Sequence, residues 1–274
     1  MAPEVVVALI TSSLGHLAAL ASIQLNNAVT RKLRHEQAQD VMARYRDPLL
    51  WSVHDLRSRV RTILEEEFLT RYLVNGEDVV LADGDDFARP YARCHTMFVL
   101  AEYLGWVEIL RRAVGFLDLG DQQRNRRLVE HLSLVRRVLF APNLGPVYHV
   151  PTGQQRAIGE LMITSDSATE DKQWRCIGFA EFCARLERDP EFSAWFQRLE
   201  QGIAAYGTST EQGQSRRLVE LDLRLNELVD FLDPDGNRFP LRHEERPQYL
   251  LPPSGASRNG HLAAAQTRSH VTPS

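Results

Sequence analysis

Few residues of this sequence combine a reactive side chain with the spacing that chemistry requires. His95 and Glu102 lie seven positions apart in a segment with helical periodicity, so they share one helix face, and Cys94 adjoins them. A zinc ion takes three or four converging ligands, and the sequence supplies no further ligand for this group. We therefore predict a buried hydrogen-bonded pair at His95 and Glu102, with no metal and no cofactor.

A second group of polar residues has the spacing of a calcium-binding loop. Its members occupy the first, third, fifth and twelfth positions of such a loop: Asp233, Asp235, Asn237 and Glu244. The sixth position, where the loop needs glycine for its sharp turn, is Arg238, and Pro240 disturbs the region of backbone coordination. We predict no calcium site here.

The stretch from 142 to 164 is interrupted by prolines and glycines, which predicts the least helical part of the globular region. Loops held by a rigid scaffold carry binding more often than helix faces do, so we predict the functional surface here. Its candidate binding residues are Arg156, Glu160 and His149. If the segment is helical, Arg156 and Glu160 form a surface ion pair. The alternative is that these two residues only brace the connection against neighbouring helices.

The composition is that of a folded protein of one or two domains. Of the 274 residues, 43% are hydrophobic and 25% are charged. The net charge of -4 gives no overall basic field. Nucleic acid is therefore not an expected partner.

The three cysteines indicate a reducing compartment. Cys94, Cys176 and Cys183 form neither a CxxC pair nor an even disulfide set. Cys176 and Cys183 lie seven positions apart on a predicted helix and could share a face. The simpler interpretation is that both are small core residues.

The segment from Val5 to Leu25 contains no charged residue when His16 is neutral. As a helix it would be about 30 Å long, the thickness of the hydrocarbon core of a bilayer. We predict a single transmembrane helix, with the lipid bilayer as a partner. Small residues recur along it at spacings of three and four, so self-association into a homo-oligomer is a further prediction.

Basic residues follow this segment and none precede it. They are Arg31, Lys32, Arg34, Arg44 and Arg46. The positive-inside rule then places the globular part in the cytoplasm, as the domain of a single-pass membrane protein. Two alternatives stay open: a cleaved signal peptide, suggested by Ala19-Leu20-Ala21 although a basic start is missing, and a core helix of the globular domain.

Helical periodicity continues through most of the remaining chain. Asp47-Pro48 predicts the start of a helix that runs to about Val74, and Asp189-Pro190 predicts a helix that ends by Gly207. The further predicted helices are Arg89 to Leu117, with a central apolar core, Asp121 to Phe140, Trp174 to Glu187, and the leucine repeat from Leu218 to Leu232.

These elements predict an all-α fold, an irregular bundle of about five to seven helices with one N-terminal transmembrane helix. At most a short β-hairpin is expected, formed by 147–150 and 161–164. The predicted regions are a membrane anchor (1–30), a basic juxtamembrane linker (31–46), a helical globular domain (47–240) and a disordered tail (241–274). The tail has too few apolar residues to offset chain entropy by burial.

The globular region contains the runs Tyr45-Arg-Asp-Pro-Leu-Leu, Gly105-Trp-Val-Glu-Ile-Leu-Arg-Arg, Gln155-Arg-Ala-Ile-Gly-Glu-Leu-Met and Ala194-Trp-Phe. In these runs the chain resembles a group of bacterial helical proteins that have an apolar N-terminal segment and no known activity. The resemblance covers roughly residues 45 to 235. It implies a single helical domain and implies no activity.

No catalytic or nucleotide-binding motif rises above chance, so the function is predicted from the architecture. The first prediction is a membrane-tethered cytoplasmic interaction or scaffold protein with a protein partner of unknown identity. The alternatives are a membrane-associated enzyme with a site near 142–164 and a membrane-acting effector regulated by the helical domain. A deep polar pocket with shifted pKa values would favour the enzyme, and a flat apolar surface would favour the binding protein.

Overall fold

The structure, a computed structural model, describes residues 30, 45–66, 68–73, 88–113, 122–165, 174–207 and 215–239. Most of these residues are helical, which confirms the predicted all-α fold with one small sheet.

The predicted transmembrane segment from Val5 to Leu25, which includes His16, lies outside the described residues, as do most of the linker and the tail from 241 onward. Within the described ranges, no helix combines the length and the apolar character that crossing a membrane requires.

The elements follow one another in a simple order. They are α1 (45–65), α2 (Phe68–Leu73), α3 (Ala88–Ala113), α4 (Gln122–Phe140), a 3-10 turn (Pro142–Leu144), α5 (Thr152–Met162), β1 (Ile163–Ser165), β2 (Trp174–Cys176), α6 (Phe179–Arg188), α7 (Pro190–Ala194), α8 (Gln197–Gly207) and α9 (Arg216–Leu232).

Local sequence signals located several helices correctly. α4 and α9 lie where the periodicity predicts them, and the leucine repeat of α9 is buried. The Asp189 carboxylate accepts hydrogen bonds from the backbone N–H groups of Glu191 and Phe192, both at 3.0 Å, as an N-cap residue does. This confirms the predicted helix start at Asp189-Pro190.

The predicted helix start at Asp47 is wrong, because α1 already includes Tyr45 and Arg46. Tyr45 is buried, and Arg46 Nε donates to the Leu232 carbonyl at 2.7 Å, so tertiary contacts hold this turn in place. Pro48 does not mark a helix boundary, since the residues on both sides of it are helical.

The stretch from 142 to 164 is more helical than predicted, because 152–162 form α5. The Pro151 carbonyl accepts the Gln155 N–H at 2.9 Å, so this proline begins a helix where we expected it to interrupt one. The predicted hairpin partner is also wrong: β1 pairs antiparallel with β2 and not with 147–150. Six helices were predicted for the globular region. The structure adds α5 and divides two of the six, the first into α1 and α2 and the one after Asp189 into α7 and α8. The described residues therefore contain nine α-helices.

α3 is the central helix, as its apolar core predicts, and contacts α2, α5, α6, α8 and β2. Gly159 of α5 lies directly against it: a Cβ at this position would lie only 2.7 Å from the Leu104 carbonyl oxygen. Because glycine leaves no side chain in the way, the two helices approach closely. α3 and α5 therefore present one joint surface.

The end of α4 is held by a fully buried arginine, Arg217 of α9. Its guanidinium donates to the carbonyls of Val138, Leu139, Ala141 and Gly145, the last at 2.8 Å. Carbonyls at a helix C-terminus lack partners within the helix and carry the negative end of its dipole, so a buried cation is stabilised there. Burial lowers the pKa of Arg217 to about 10, which leaves it charged at neutral pH.

Candidate functional site: a groove between three helices

Helices α3, α4 and α5 enclose a groove with a volume of about 640 Å³, a size typical of small-molecule sites. We refer to it as the groove. Its apolar lining residues include Leu104, Val107 and Leu110 of α3 and Leu128 and Leu132 of α4. Three arginines line its exposed rim: Arg111, Arg136 and Arg156.

One face of α4 forms a wall of the groove from Asn125 to Arg136. The lining residues of α4 are Asn125, Leu128, Val129, Leu132, Ser133 and Arg136. They recur at spacings of three and four, so they form a stripe that extends for about 16 Å along the helix axis. Val129 is apolar and nevertheless 61% exposed, which leaves an uncovered apolar surface at the rim.

A connected network of charges lies where α3 meets α5. Arg111 donates two hydrogen bonds to the Glu108 carboxylate, at 2.7 and 2.5 Å, and Arg112 Nε adds a third at 2.9 Å. Glu160 Oε1 accepts from Arg156 Nε at 3.0 Å and lies 3.6 Å from Arg112 Nη2. The three arginines and two glutamates thus form one network, which we call the charge network.

Glu108 is the buried member of this network, with 5% of its surface exposed. Burial by itself raises the pKa of this carboxyl, but the hydrogen bonds and charges of Arg111 and Arg112 outweigh it, and the Glu108 pKa is lowered. The carboxylate therefore stays ionised at neutral pH, and its oxygens are occupied by the two guanidinium groups. It is poorly suited to act as a general acid or base.

Arg136 has a different environment at the end of the α4 stripe. It is exposed and, among the described residues, no carboxylate pairs with it, whereas Arg111 and Arg156 are each paired with a glutamate. Counted with the charge network, four arginines and two glutamates leave a net charge of +2 at this rim. The groove is thus apolar inside and positive at its edge.

The predicted binding residues fall in different places. Arg156 lines the groove, and Glu160 pairs with it, so the predicted ion pair is present. His149 does not line the groove: its Nε2 lies 3.1 Å from the Phe140 carbonyl and its Nδ1 lies 3.1 Å from Arg198 Nη2. Burial, followed by the nearby arginine charges, lowers the pKa of His149, so the neutral ring donates to Phe140 and accepts from Arg198.

A second group of ionisable residues lies between α1 and α3, and we call it the α1–α3 polar cluster: Asp55, Arg59, His95 and Glu102. The predicted bond between His95 and Glu102 is absent, because seven residues separate two side chains by about 10 Å along a helix. His95 Nδ1 instead lies 2.6 Å from Arg59 Nη2. Arg59 is 8% exposed, its Cζ lies 4.1 Å from the centroid of the Phe68 ring, and its Nε has no hydrogen-bond partner.

The two titratable groups of α3 in this cluster are shifted in opposite directions. Burial, with a smaller contribution from the Asp55 charge, raises the pKa of Glu102 to about 7. Burial, followed by the Arg59 charge, lowers the pKa of His95 to about 4. Glu102 therefore titrates near neutral pH, where His95 is uncharged.

A disulfide between Cys94 and Cys183 joins α3 to α6, with the Cα atoms 6.5 Å apart. The expectation that the cysteines form no disulfide is wrong for these two. The partners are 89 residues apart in sequence, so no local pattern signals the bond. Cys176 is free, and burial raises the pKa of its thiol.

Metal ligands do not converge in the described part of the chain, where no three His, Cys, Asp or Glu side chains form a group that could hold an ion. The first residue of the calcium-like segment, Asp233, accepts hydrogen bonds from the backbone N–H groups of Asn237, Arg238 and Phe239. Its carboxylate therefore closes the turn that follows α9.

Comparison of the chain with protein-family models, with curated proteins and with solved structures finds no match. The resemblance to bacterial helical proteins therefore stays a prediction.

Proposed function

We propose that this chain is a membrane-tethered binding protein whose helical domain holds an apolar ligand in the groove. The observation that supports the proposal is the groove itself, with apolar walls from three helices, a volume of about 640 Å³ and the uncovered Val129 at its rim. Removing apolar surface from water contributes about 25 cal/mol per Å². A ligand that covers this surface is therefore stabilised by burial.

Binding is favoured over catalysis by the state of the polar groups in the groove. The buried carboxylate there, Glu108, has a lowered pKa and is bonded to two arginines. Catalytic acids and bases usually have a pKa near the working pH and a free position toward the substrate. Glu102, whose pKa is raised to about 7, is not among the residues that line the groove.

The tether and its orientation are the sequence-based part of the proposal. They are supported by the uncharged stretch from Val5 to Leu25 and by the basic residues from Arg31 to Arg46. The full-length chain should stay with the membrane pellet after an alkaline carbonate wash. Recovery in the supernatant would contradict the tether while leaving the groove as a binding site.

Site-resolved photolabelling tests the groove. The probe is dodecanol carrying a diazirine at its terminal carbon, added to the full-length chain in phosphatidylcholine vesicles. We expect cross-links on peptides that contain the α3 and α4 lining residues, and we expect excess dodecanol to abolish them. Leu132→Glu places a charge in the apolar wall and should reduce this labelling at least tenfold.

Leu134→Glu is the matched control. Leu134 is also a half-buried leucine of α4, but it lines a separate groove between α4 and α9. The control variant should label like the wild type, and circular dichroism should confirm that both variants are folded. Cross-links spread over other surfaces, or equal labelling of both variants, would overturn the proposed binding site.

A further inference from the structure

We propose that the ligand of the groove is a single-chain acidic amphiphile, an alkyl chain that ends in a carboxylate or another acidic group. This inference rests on the proposed function and adds the chemical class of the ligand. The apolar walls would hold the chain, and the positive rim would hold the acid.

Charge at the rim selects the sign of the ligand head group. The charge network and Arg136 together carry a net charge of +2, and the described lining residues contain no charged group beyond these. A neutral ligand would leave this excess unchanged, and a cation would add to it. An acid reduces it at short range, where the solvent is partly excluded and screening is weak.

Arg136 is the arginine best placed to bond the acid. Arg111 and Arg156 each donate to a glutamate, so part of their hydrogen-bonding capacity is used. The Arg136 side chain has neither a carboxylate nor a hydrogen-bond partner among the described residues, and its planar guanidinium can donate two parallel bonds to one carboxylate. Ser133, one turn earlier on the same stripe, supplies a further polar group for the head of the ligand.

Apolar residues continue from this point along the groove. The α4 stripe runs back from Arg136 past Leu132 and Val129 to Leu128 over a length of about 12 Å. Leu104 and Val107 face the same space from α3. The arrangement suits one extended chain, and each added methylene should increase affinity about fourfold until the apolar length is filled.

Competition against the dodecanol photoprobe tests the ligand class on the full-length chain in phosphatidylcholine vesicles. The competitors are dodecanoate, dodecanol, dodecyltrimethylammonium and octanoate. We expect dodecanoate to displace the probe at a concentration at least tenfold below that of dodecanol, with the cation weakest and octanoate weaker than dodecanoate.

Arg136→Gln should reduce the preference for dodecanoate over dodecanol at least tenfold. Arg137→Gln is the matched control, because Arg137 is the adjacent exposed arginine and lines the other groove. The quantity compared between variants is the ratio of the displacing concentrations of dodecanol and dodecanoate. Partitioning of the two competitors into the vesicles is the same for every variant and cancels in this comparison.

The possible failures are distinguishable. If the probe labels the groove but dodecanoate and dodecanol compete equally, or if Arg136→Gln keeps the preference, the acidic class is wrong and the binding site stands. If the probe does not label the groove, the proposed function fails first. If phosphatidylglycerol in the vesicles displaces the probe and free dodecanoate does not, the occupant is a membrane phospholipid and the single-chain proposal is overturned.

Discussion

Two arginines in this domain are almost equally buried and have very different surroundings. Arg217, which has no exposed surface, donates to four backbone carbonyls at and beyond the end of α4. Arg59, which is 8% exposed, bonds to His95, packs on the Phe68 ring and keeps one N–H without a partner. A buried cation therefore needs no carboxylate when enough oriented carbonyls surround it.

The two arginines also differ in how the stability of their surroundings should depend on pH. Around Arg217 the partners are backbone groups, which do not titrate. Arg59 instead bonds to His95, which belongs with Asp55 and Glu102 to the α1–α3 polar cluster, and the pKa values of His95 and Glu102 are displaced from their ordinary range. The hydrogen bonds of Arg217 should consequently be insensitive to pH between 4 and 8, and pH should act on this region through His149, whose pKa the Arg217 charge helps to lower. The α1–α3 polar cluster should respond to pH directly.

Replacing Arg217 should produce the largest loss. Arg217→Met leaves the carbonyls at the end of α4 without partners, and we expect the free energy of unfolding to fall by about 3–5 kcal/mol. Arg216→Met is the control, since Arg216 is exposed and adjacent; its effect should stay within about 0.5 kcal/mol. Urea denaturation followed by circular dichroism measures both. Equal losses in the two variants would remove the distinction between the buried and the exposed arginine.

The disulfide between Cys94 and Cys183 lies next to His95 and stabilises the part of the domain that contains Arg59. Cys183→Ser should lower the free energy of unfolding of the oxidised protein by about 2–4 kcal/mol, given the 89-residue separation. Under reducing conditions the wild type and the variant should differ much less. Denaturation with and without dithiothreitol makes the comparison, and Cys176→Ser is the control.

The same bond tests the proposed cytoplasmic location. Cytosolic disulfides are rare, so thiol alkylation of acid-quenched cells should label both Cys94 and Cys183 if the domain faces the cytoplasm. Protection of both from alkylation until reduction would contradict that location and favour an oxidising compartment.

Removing the titratable groups of the α1–α3 polar cluster should change the pH dependence of stability. The raised pKa of Glu102 favours folding below about 4.5, and this contribution is lost as the pH rises through about 7. The lowered pKa of His95 acts in the opposite direction: it disfavours folding as the pH falls from about 6.5 to about 4. In the wild type the two effects largely cancel between pH 4.5 and 6.5.

Each single variant exposes one of these effects. Glu102→Gln should become less stable toward acid and gain of the order of 1–3 kcal/mol over the wild type at pH 8. His95→Asn should instead lose stability as the pH rises from 4.5 to 7. Thermal denaturation at pH 4.5, 6 and 8 measures both, and parallel profiles for the two variants would show that the opposing shifts do not exist.

The smallest effect is expected at Arg59 itself. Arg59→Met removes one hydrogen bond and one cation–π contact, but it also removes a buried N–H without a partner, so the net change should be about 1 kcal/mol or less. The clearer readout is His95, whose pKa should rise from about 4 when the adjacent positive charge is removed. NMR titration of the His95 ring measures this shift. An unchanged His95 pKa would show that burial alone accounts for it.

Features encoded by neighbouring residues could be predicted from the sequence. The leucine repeat of α9, the limits of α4 and the Asp189 cap depend on contacts within one or two turns of helix. Pro151 misled the prediction because a proline disrupts the interior of a helix but is compatible with its start. A proline in the sequence therefore does not show by itself whether it interrupts a helix or begins one.

The site depends on contacts that no local pattern contains. His95 meets Arg59 from 36 positions away, and the groove needs lining residues from three helices. The stripe of α4 that faces the groove is visible as a three-four spacing, but the same spacing is typical of any helix that packs on a core. Only the structure shows that Val129 in this stripe remains uncovered.

The covalent loop closed by Cys94 and Cys183 contains every residue that lines the groove. A protease that cuts the chain once, anywhere between positions 95 and 182, would therefore yield two fragments that remain a single molecule while the bond is intact. Such a nicked protein should migrate near its full mass on a denaturing gel without reductant and as two pieces with it. The helices that form the groove could thus be separated by cleavage of the backbone and still remain joined through the disulfide.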